Sequence, residues 1–374
     1  MRRLVLIILA LLAVAGCRPV DAPWPPTAAL CWGNALRADE AVLGVRHFEY
    51  QMTSVRMADL DAAAERGMTM SLYVSSDSVA EWMADSRRGT FAAEWWRLGQ
   101  MFPARSVDGG LWSPWPGKHL VDVTSPAARR AMVQAVQGHL PPSKADVGLM
   151  FDFFTIPRPA YLVGEQPALD LDGDGVSHED DPGEQARLRK AYGAMLAAYR
   201  DAMPRLKLSA NGSLALVDTT FTALLDGLFV EGAGAYWPSW SGRRGVDAML
   251  AQDNPLNWWG VSRHLRPGWP SVLECKDEGR HEYAVALAMM LTTEEHPVVG
   301  VAHDGPRPAP VDHLDGWWAV GRPVSDLREM QPGLYARAFE DGVAHLRITD
   351  RGQYPRPFEF VLRTADGDTI AHLE

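Results

Sequence analysis

A chain of 374 residues, 47% of them hydrophobic, is long enough to bury one large core or two ordinary ones. Its 47 acidic residues outnumber 36 basic ones, for a formal net charge of −11, and a surface of that sign argues against nucleic acid as a partner because nothing would neutralise the phosphates. The cysteine count of 3 gives no disulfide framework, and Cys31 and Cys275, far apart in sequence, fix no pairing.

Residues 1–16 have the form of an export signal. Arg2 and Arg3 precede the apolar stretch Leu4–Val14, which is too short for a stable membrane span, and the small residues Ala15 and Gly16 lead into Cys17. Val14-Ala15-Gly16-Cys17 resembles a bacterial lipobox. That resemblance implies cleavage before Cys17, lipidation of its thiol and tethering to the cell envelope by acyl chains, with Arg18 in the next position favouring the outer membrane. Removing residues 1–16 takes away two arginines and no acid, so the charge falls from −11 to −13. The proline-rich remainder of residues 17–28 reads as an extended tether.

Residues 29–325 alternate short apolar runs with amphipathic stretches. Strands are expected at Ala29–Gly33, Val45–Met52, Met68–Ser75, Val147–Phe154, Leu206–Asn211, Leu228–Gly232, Ser271–Lys276 and Val298–Asp304. Helices are expected between them, among them one opened by the cap Ser125-Pro126 and one over Glu184–Met203 with Leu188, Tyr192, Met195, Leu196, Tyr199 and Met203 along one face. Eight strands alternating with helices give a (βα)8 TIM barrel of the α/β class, expected to be a monomer. The connection from Gly33 to Val45 is its least helical part. Two connections exceed what a barrel needs: residues 76–124, with Trp82, Trp95, Trp96, Trp112 and Trp115, and residues 155–183, with a run of aspartates. Trp95 and Trp96 read as core, whereas Trp112 and Trp115, in a Pro/Gly-rich stretch, read as a surface for stacking on a flat ligand such as a sugar ring. Residues 326–374 change to alternating runs split by Asp341-Gly342, Arg351-Gly352 and Asp366-Gly367, the pattern of a small C-terminal antiparallel β unit.

The chemistry gathers at the ends of the expected strands. Val147–Pro159 is an apolar run that stops at a single carboxylate, Asp152, and a buried strand delivering an acid to its C-terminal end is how a parallel barrel builds an active site. The competing reading is an Asp that caps the next turn. Glu231 and Glu274 close the sixth and seventh strands, and two carboxylates projecting into one aromatic-lined cavity are able to drive their pKa values apart, as paired-carboxylate hydrolysis needs. Glu274 competes with Glu231 for partnership with Asp152. Glu49, Tyr73, Asn211, Tyr236, Trp237, His303 and Asp304, at or just beyond strand ends, are candidates to contact substrate, and Asn211-Gly212 is equally compatible with a plain turn. No HExxH, CxxC or GxSxG motif supports metal hydrolysis or a serine nucleophile.

Asp170–Asp181, DLDGDGVSHEDD, has the spacing of a calcium loop. Asp170, Asp172 and Asp174 stand at positions 1, 3 and 5, Gly175 at 6, the Val176 carbonyl at 7 and Asp181 at 12, where Asp replaces the usual Glu. A structural Ca2+ is expected there, stiffening the loop after the fourth strand.

The succession FEYQ, LYVS, HLVDVTSPAARRAMV, LMFDF with its DxDGDG loop, SANG, LFVEG and YARAFEDGVAHLRIT resembles the glycoside hydrolases grouped as hypothetical glycosyl hydrolase family 15. More distantly it is similar to the endo-α-1,4-polygalactosaminidases of glycoside hydrolase family 114. The resemblance implies a TIM-barrel glycosidase with Asp152 and Glu231 as its acids and a C-terminal β unit. The expected function is therefore hydrolysis of an extracellular or periplasmic polysaccharide by a lipid-anchored enzyme; the alternative is a calcium-stabilised glycan-binding lipoprotein without catalysis.

Overall fold

The structure is a computed structural model that describes residues 27–31, 45–53, 55, 57–65, 67–140, 146–157, 167–232, 237–238, 245–274, 281–304, 316–317, 319–348 and 358–373; for Cys31, Glu49, His303 and Asp304 it describes backbone alone. Cys17, Tyr236 and Cys275 lie outside the described residues.

In chain order the strands are β1 (Thr27–Cys31), β2 (Val45–Gln51), β3 (Thr69–Ser75), β4 (Ser78–Ala80), β5 (Arg105–Ser106), β6 (Lys118–Leu120), β7 (Asp146–Asp152), β8 (Leu169–Asp170) and β9 (Lys207–Asn211). They continue with β10 (Gly227–Val230), β11 (Ser271–Leu273), β12 (Val298–Asp304), β13 (Arg328–Gln331), β14 (Leu334–Phe339), β15 (Gly342–Arg347), β16 (Glu359–Thr364) and β17 (Thr369–Leu373). The eight apolar runs singled out above all become strands of one parallel sheet. Its order, β1-β12-β11-β10-β9-β7-β3-β2, closes on itself because β1 pairs with both β12 and β2. Described helices follow β2, β9, β10 and β11, one follows β7 beyond the two-residue β8, and others lie within the long segment after β3. Between β9 and β10 the chain forms two short helices, Ser213–Val217 and Thr219–Thr222, because Asp218 turns its carboxylate onto the amides of Thr220 and Phe221 and starts a new helix.

Period-two alternation sorts each barrel strand. In β7, Leu149 and Phe151 join the large core shared with the surrounding helices. Met150 instead meets Phe229, Val272, Val299 and Val301 inside the barrel. The lower end of that interior is filled by Trp269, whose indole N–H donates to Ser209 Oγ at 3.1 Å. Gly148 and Gly227 make room for it, since a Cβ would come within 2.7 Å and 3.0 Å of the ring respectively. The interior is a packed core below and opens only at the strand ends.

The long segment after β3 folds back on itself. β4 and β6 form an antiparallel pair with Ala80 opposite Lys118, and β5 pairs with β8 at the start of the aspartate loop. The helix Pro182–Ala202, capped by Asp181, lays Tyr192 and Tyr199 against the barrel. Tyr192 Oη donates to the buried Asp77 at 2.5 Å, joining this helix to the segment that leaves β3. The C-terminal unit is an antiparallel sheet in the order β13-β14-β15-β16-β17. It docks through the buried Arg337, whose guanidinium donates to the Met289 and Met290 carbonyls at 3.0 and 2.9 Å, satisfying helix-end acceptors that water does not reach.

Candidate active site

The two-residue period that puts Met150, Phe229 and Val272 inside the barrel carries the next inward positions, Asp152, Glu231 and Glu274, to its mouth. Ser71 and Ser209 lie one layer down from Tyr73 and Asn211 in the same way. Four of these residues meet. Asp152 accepts a hydrogen bond on Oδ2 from Tyr73 Oη at 2.8 Å and one on Oδ1 from Asn211 Nδ2 at 2.9 Å. The same Asn211 nitrogen donates to Glu231 Oε2 at 3.0 Å, so one amide spans the two acids.

Asp152, Asn211 and Glu231 line a cleft of roughly 670 Å³ together with Trp115, Lys118, Phe153, Thr155, Gly212, Ser213, Leu216, Phe229, Val230 and Pro238. Glu274 is buried beside β10, its backbone N–H bonded to the Val230 carbonyl, and is not among the lining residues. Burial pushes the Asp152 carboxyl above its ordinary range. The hydrogen bond from Tyr73 opposes the rise, the Glu231 charge adds to it, and the Lys118 ammonium and the Asn211 hydrogen bond oppose it again. Burial, with Asp152 and Glu231 nearby, raises the Tyr73 phenol well above its usual value, so Tyr73 is a donor throughout the neutral range.

The backbone that presents these groups is held in an unusual state. Phe153 has φ of +77°, a left-handed conformation that a residue with a bulky side chain rarely adopts. The turn sends successive rings apart: Phe153 packs on Trp115 at 4.4 Å between centroids, while Phe154 is buried among Phe151, Tyr192 and Phe221. Phe154 N–H donates to the Asn211 carbonyl at 2.9 Å. Gly212, at φ +127°, lies so close that a Cβ would stand 2.3 Å from the Phe154 oxygen. β7 and β9 are thereby clasped just above the acids, and Asn211 is more than a turn residue.

The aromatic candidates separate. Trp115 lines the cleft and carries the Lys118 ammonium 4.9 Å from its ring. Trp112 does not offer a stacking surface: it is 1% exposed and packed with Ala104, Leu120 and Leu169 where β5 and β8 meet. The β5–β8 pair folds the Pro/Gly-rich stretch inward, a long-range pairing that local composition does not carry. Trp237 is also core, packed on Trp258 with its indole N–H on the Leu256 carbonyl. Sequence reading missed Lys118; it sits in KHLVDV with no distinguishing local pattern, and only the pairing of β4 with β6 brings it to the cleft.

In the aspartate loop, the carboxylates of Asp172, Asp174 and Asp181 offer oxygens within 4.8 Å of one another, and Asp170, Asp172 and Glu184 form an overlapping group. Buried Asp170 accepts from Gly173 and Gly175 N–H at 2.7 and 3.0 Å, Glu184 accepts from Leu171 N–H at 2.7 Å, and Arg187 hydrogen-bonds Asp172. Burial lifts Glu184 to about 7, and His178 Nδ1 lies 2.6 Å from its Oε1. An all-oxygen donor set of this density fits a hard divalent cation.

No family model matches the chain, and no curated protein does. Among solved structures it is similar to the glycoside hydrolase domain of PelA from Pseudomonas aeruginosa, with 17% identity over 76% of this chain and 100% of that one and a TM-score of 0.46. It is similar to Aspergillus fumigatus Ega3 in complex with galactosamine at 12% identity, covering 68% and 80% with a TM-score of 0.40. Paenibacillus thiaminolyticus alpha-L-fucosidase isoenzyme 2 matches at 13% identity over 81% and 52%, with a TM-score of 0.45.

Proposed function

We propose that the chain is a (βα)8 glycoside hydrolase acting with retention of configuration on a polysaccharide, with Asp152 as nucleophile and Glu231 as general acid and base. The carrying observation is the shared donor: Asn211 Nδ2 bonds Asp152 at 2.9 Å and Glu231 at 3.0 Å. The two hydrogens of an amide nitrogen diverge by about 120°, which sets their acceptor oxygens about 5 Å apart, the separation of a retaining rather than an inverting pair. Burial raises the Asp152 carboxyl above its ordinary value, and the hydrogen bond from Tyr73, the Lys118 charge and the hydrogen bond from Asn211 limit that rise, which supports the ionised form a nucleophile needs.

In the first step an Asp152 oxygen bonds to the anomeric carbon while Glu231 gives its proton to the departing glycosidic oxygen, whose bond to that carbon breaks. In the second, Glu231 takes a proton from water, the water oxygen bonds to the anomeric carbon, and the Asp152 carboxylate leaves. Trp115 supplies a ring face on the cleft wall. The test is the anomer formed first, read by proton NMR before mutarotation. Retention is expected; inversion would remove Asp152 as nucleophile.

The aspartate loop is proposed to hold Ca2+ through Asp170, Asp172, Asp174, the Val176 carbonyl and Asp181, a structural ion that fixes the start of the helix Pro182–Ala202. Cys17 is proposed as the lipid attachment that places the enzyme in the bacterial envelope, at the outer membrane.

A further inference from the structure

Beside the acid-pair cleft lies a second cavity of roughly 250 Å³, whose lining includes Gln51, Thr53, Tyr73, Trp82, Trp95 and Lys118. The volume is below the range of drug-sized ligand pockets, about 300–1,000 Å³, and suits a single ring. Two features tie it to the cleft. Tyr73 bonds Asp152 through its hydroxyl while also lining this cavity, and Lys118 lines both spaces. The lining pairs aromatic faces with hydroxyls and an amide, the mixture that suits a sugar's apolar faces and hydroxyl rim. Trp82 is 55% exposed at its edge, unusual for an indole and placed where a ring face is able to receive a ligand.

Charge narrows the occupant. Among the described residues no carboxylate lines the second cavity, and the one charged side chain there is Lys118. The register Ala80 opposite Lys118, with Glu81 N–H bonded to the Gly117 carbonyl at 2.8 Å, fixes the short helix bearing Trp82 against the strand bearing Lys118. An ammonium in a partly enclosed site attracts a carboxylate and repels a second ammonium. Resting on the glycosidase reading above, we propose that this cavity is a sugar subsite that recognises an acidic unit, a uronic acid, adjoining the bond cleaved between Asp152 and Glu231, with Trp82 under the ring and Lys118 on its carboxylate. The substrate class is thus an acidic polysaccharide.

The probe is a set of three monosaccharides sharing one ring, glucuronate, glucose and glucosamine, titrated separately into the full-length protein. The readout is the Trp82 indole N–H resonance, assigned by its loss in Trp82→Phe. Glucuronate is expected to shift it with a Kd about tenfold lower than glucose, the size of one charge-assisted hydrogen bond, and glucosamine not to shift it. Lys118→Met should erase the difference between glucuronate and glucose, and Lys118→Arg should keep it. No shift with any sugar, equal Kd values, or glucosamine binding as well as glucuronate would overturn the proposal. These titrations do not depend on turnover, so an Asp152→Asn protein that still hydrolysed glycans would defeat the catalytic reading while leaving them unchanged.

Discussion

Asn211 Nδ2 stands 2.9 Å from Asp152 Oδ1, a bond between neighbouring strands that is reinforced directly above by Phe154 N–H on the Asn211 carbonyl. Backbone and side chain of one residue thus fix the height of Asp152 in the barrel mouth, and the second hydrogen of the same amide fixes Glu231. Two carboxylates at this distance repel, and a neutral donor between them lowers that cost without adding a charge.

Replacing Asn211 with Ala therefore removes an orienting bond from both acids at once. We expect kcat to fall about a hundredfold, the scale on which one positioned donor acts in an active site, while the fold is retained. Asn211→Asp should be worse, because it replaces the shared donor with a third carboxylate beside Asp152 and Glu231. Steady-state kinetics with thermal melts of both variants check this.

The acid limb of the pH–rate profile should belong to Asp152. The nucleophile works ionised, so the rate falls as pH drops through a pKa that burial has raised. Tyr73 lowers that pKa through its hydrogen bond, so Tyr73→Phe should move the limb to higher pH, and Lys118→Met should move it in the same direction. A limb that moved down in either variant would contradict the assignment.

Trp112 and Trp115, three residues apart, should behave oppositely. Trp112→Ala opens a cavity in a packed cluster and should cost about 3–5 kcal/mol. Trp115→Ala should leave the melting temperature nearly unchanged and raise KM. Trp112 is the residue whose role local sequence concealed.

Calcium should raise the melting temperature of metal-stripped protein, by about 2.7 kcal/mol of stability at a hundredfold excess over Kd. EDTA should reverse the gain and Asp172→Ala should abolish it. A melting temperature indifferent to both would leave Arg187 as the partner of an acidic loop that binds no ion.

What the sequence made legible was periodic or local. The eight apolar runs, the Ser125 and Asp181 helix caps, and the inward acids Asp152 and Glu231 each follow from alternation or spacing along a short stretch. Trp112, Lys118 and Asp77 did not, because their surroundings come from the pairings β5–β8 and β4–β6 and from the Tyr192 hydroxyl, contacts made across tens of residues. The left-handed Phe153 was hidden for another reason: a bulky residue gives no hint that it will take a conformation glycine prefers, and only the clasp of Phe154 to Asn211 and Gly212 enforces it.

The most direct measurement is release of reducing ends from a panel of neutral, acidic and amino polysaccharides by the wild-type chain, Asp152→Asn and Glu231→Gln, each confirmed folded by its melting curve. The account predicts cleavage by the wild type and a loss of at least about a thousandfold in each variant, the cost of removing a nucleophile or an acid that has no substitute. Wild-type rates in either folded variant would contradict it.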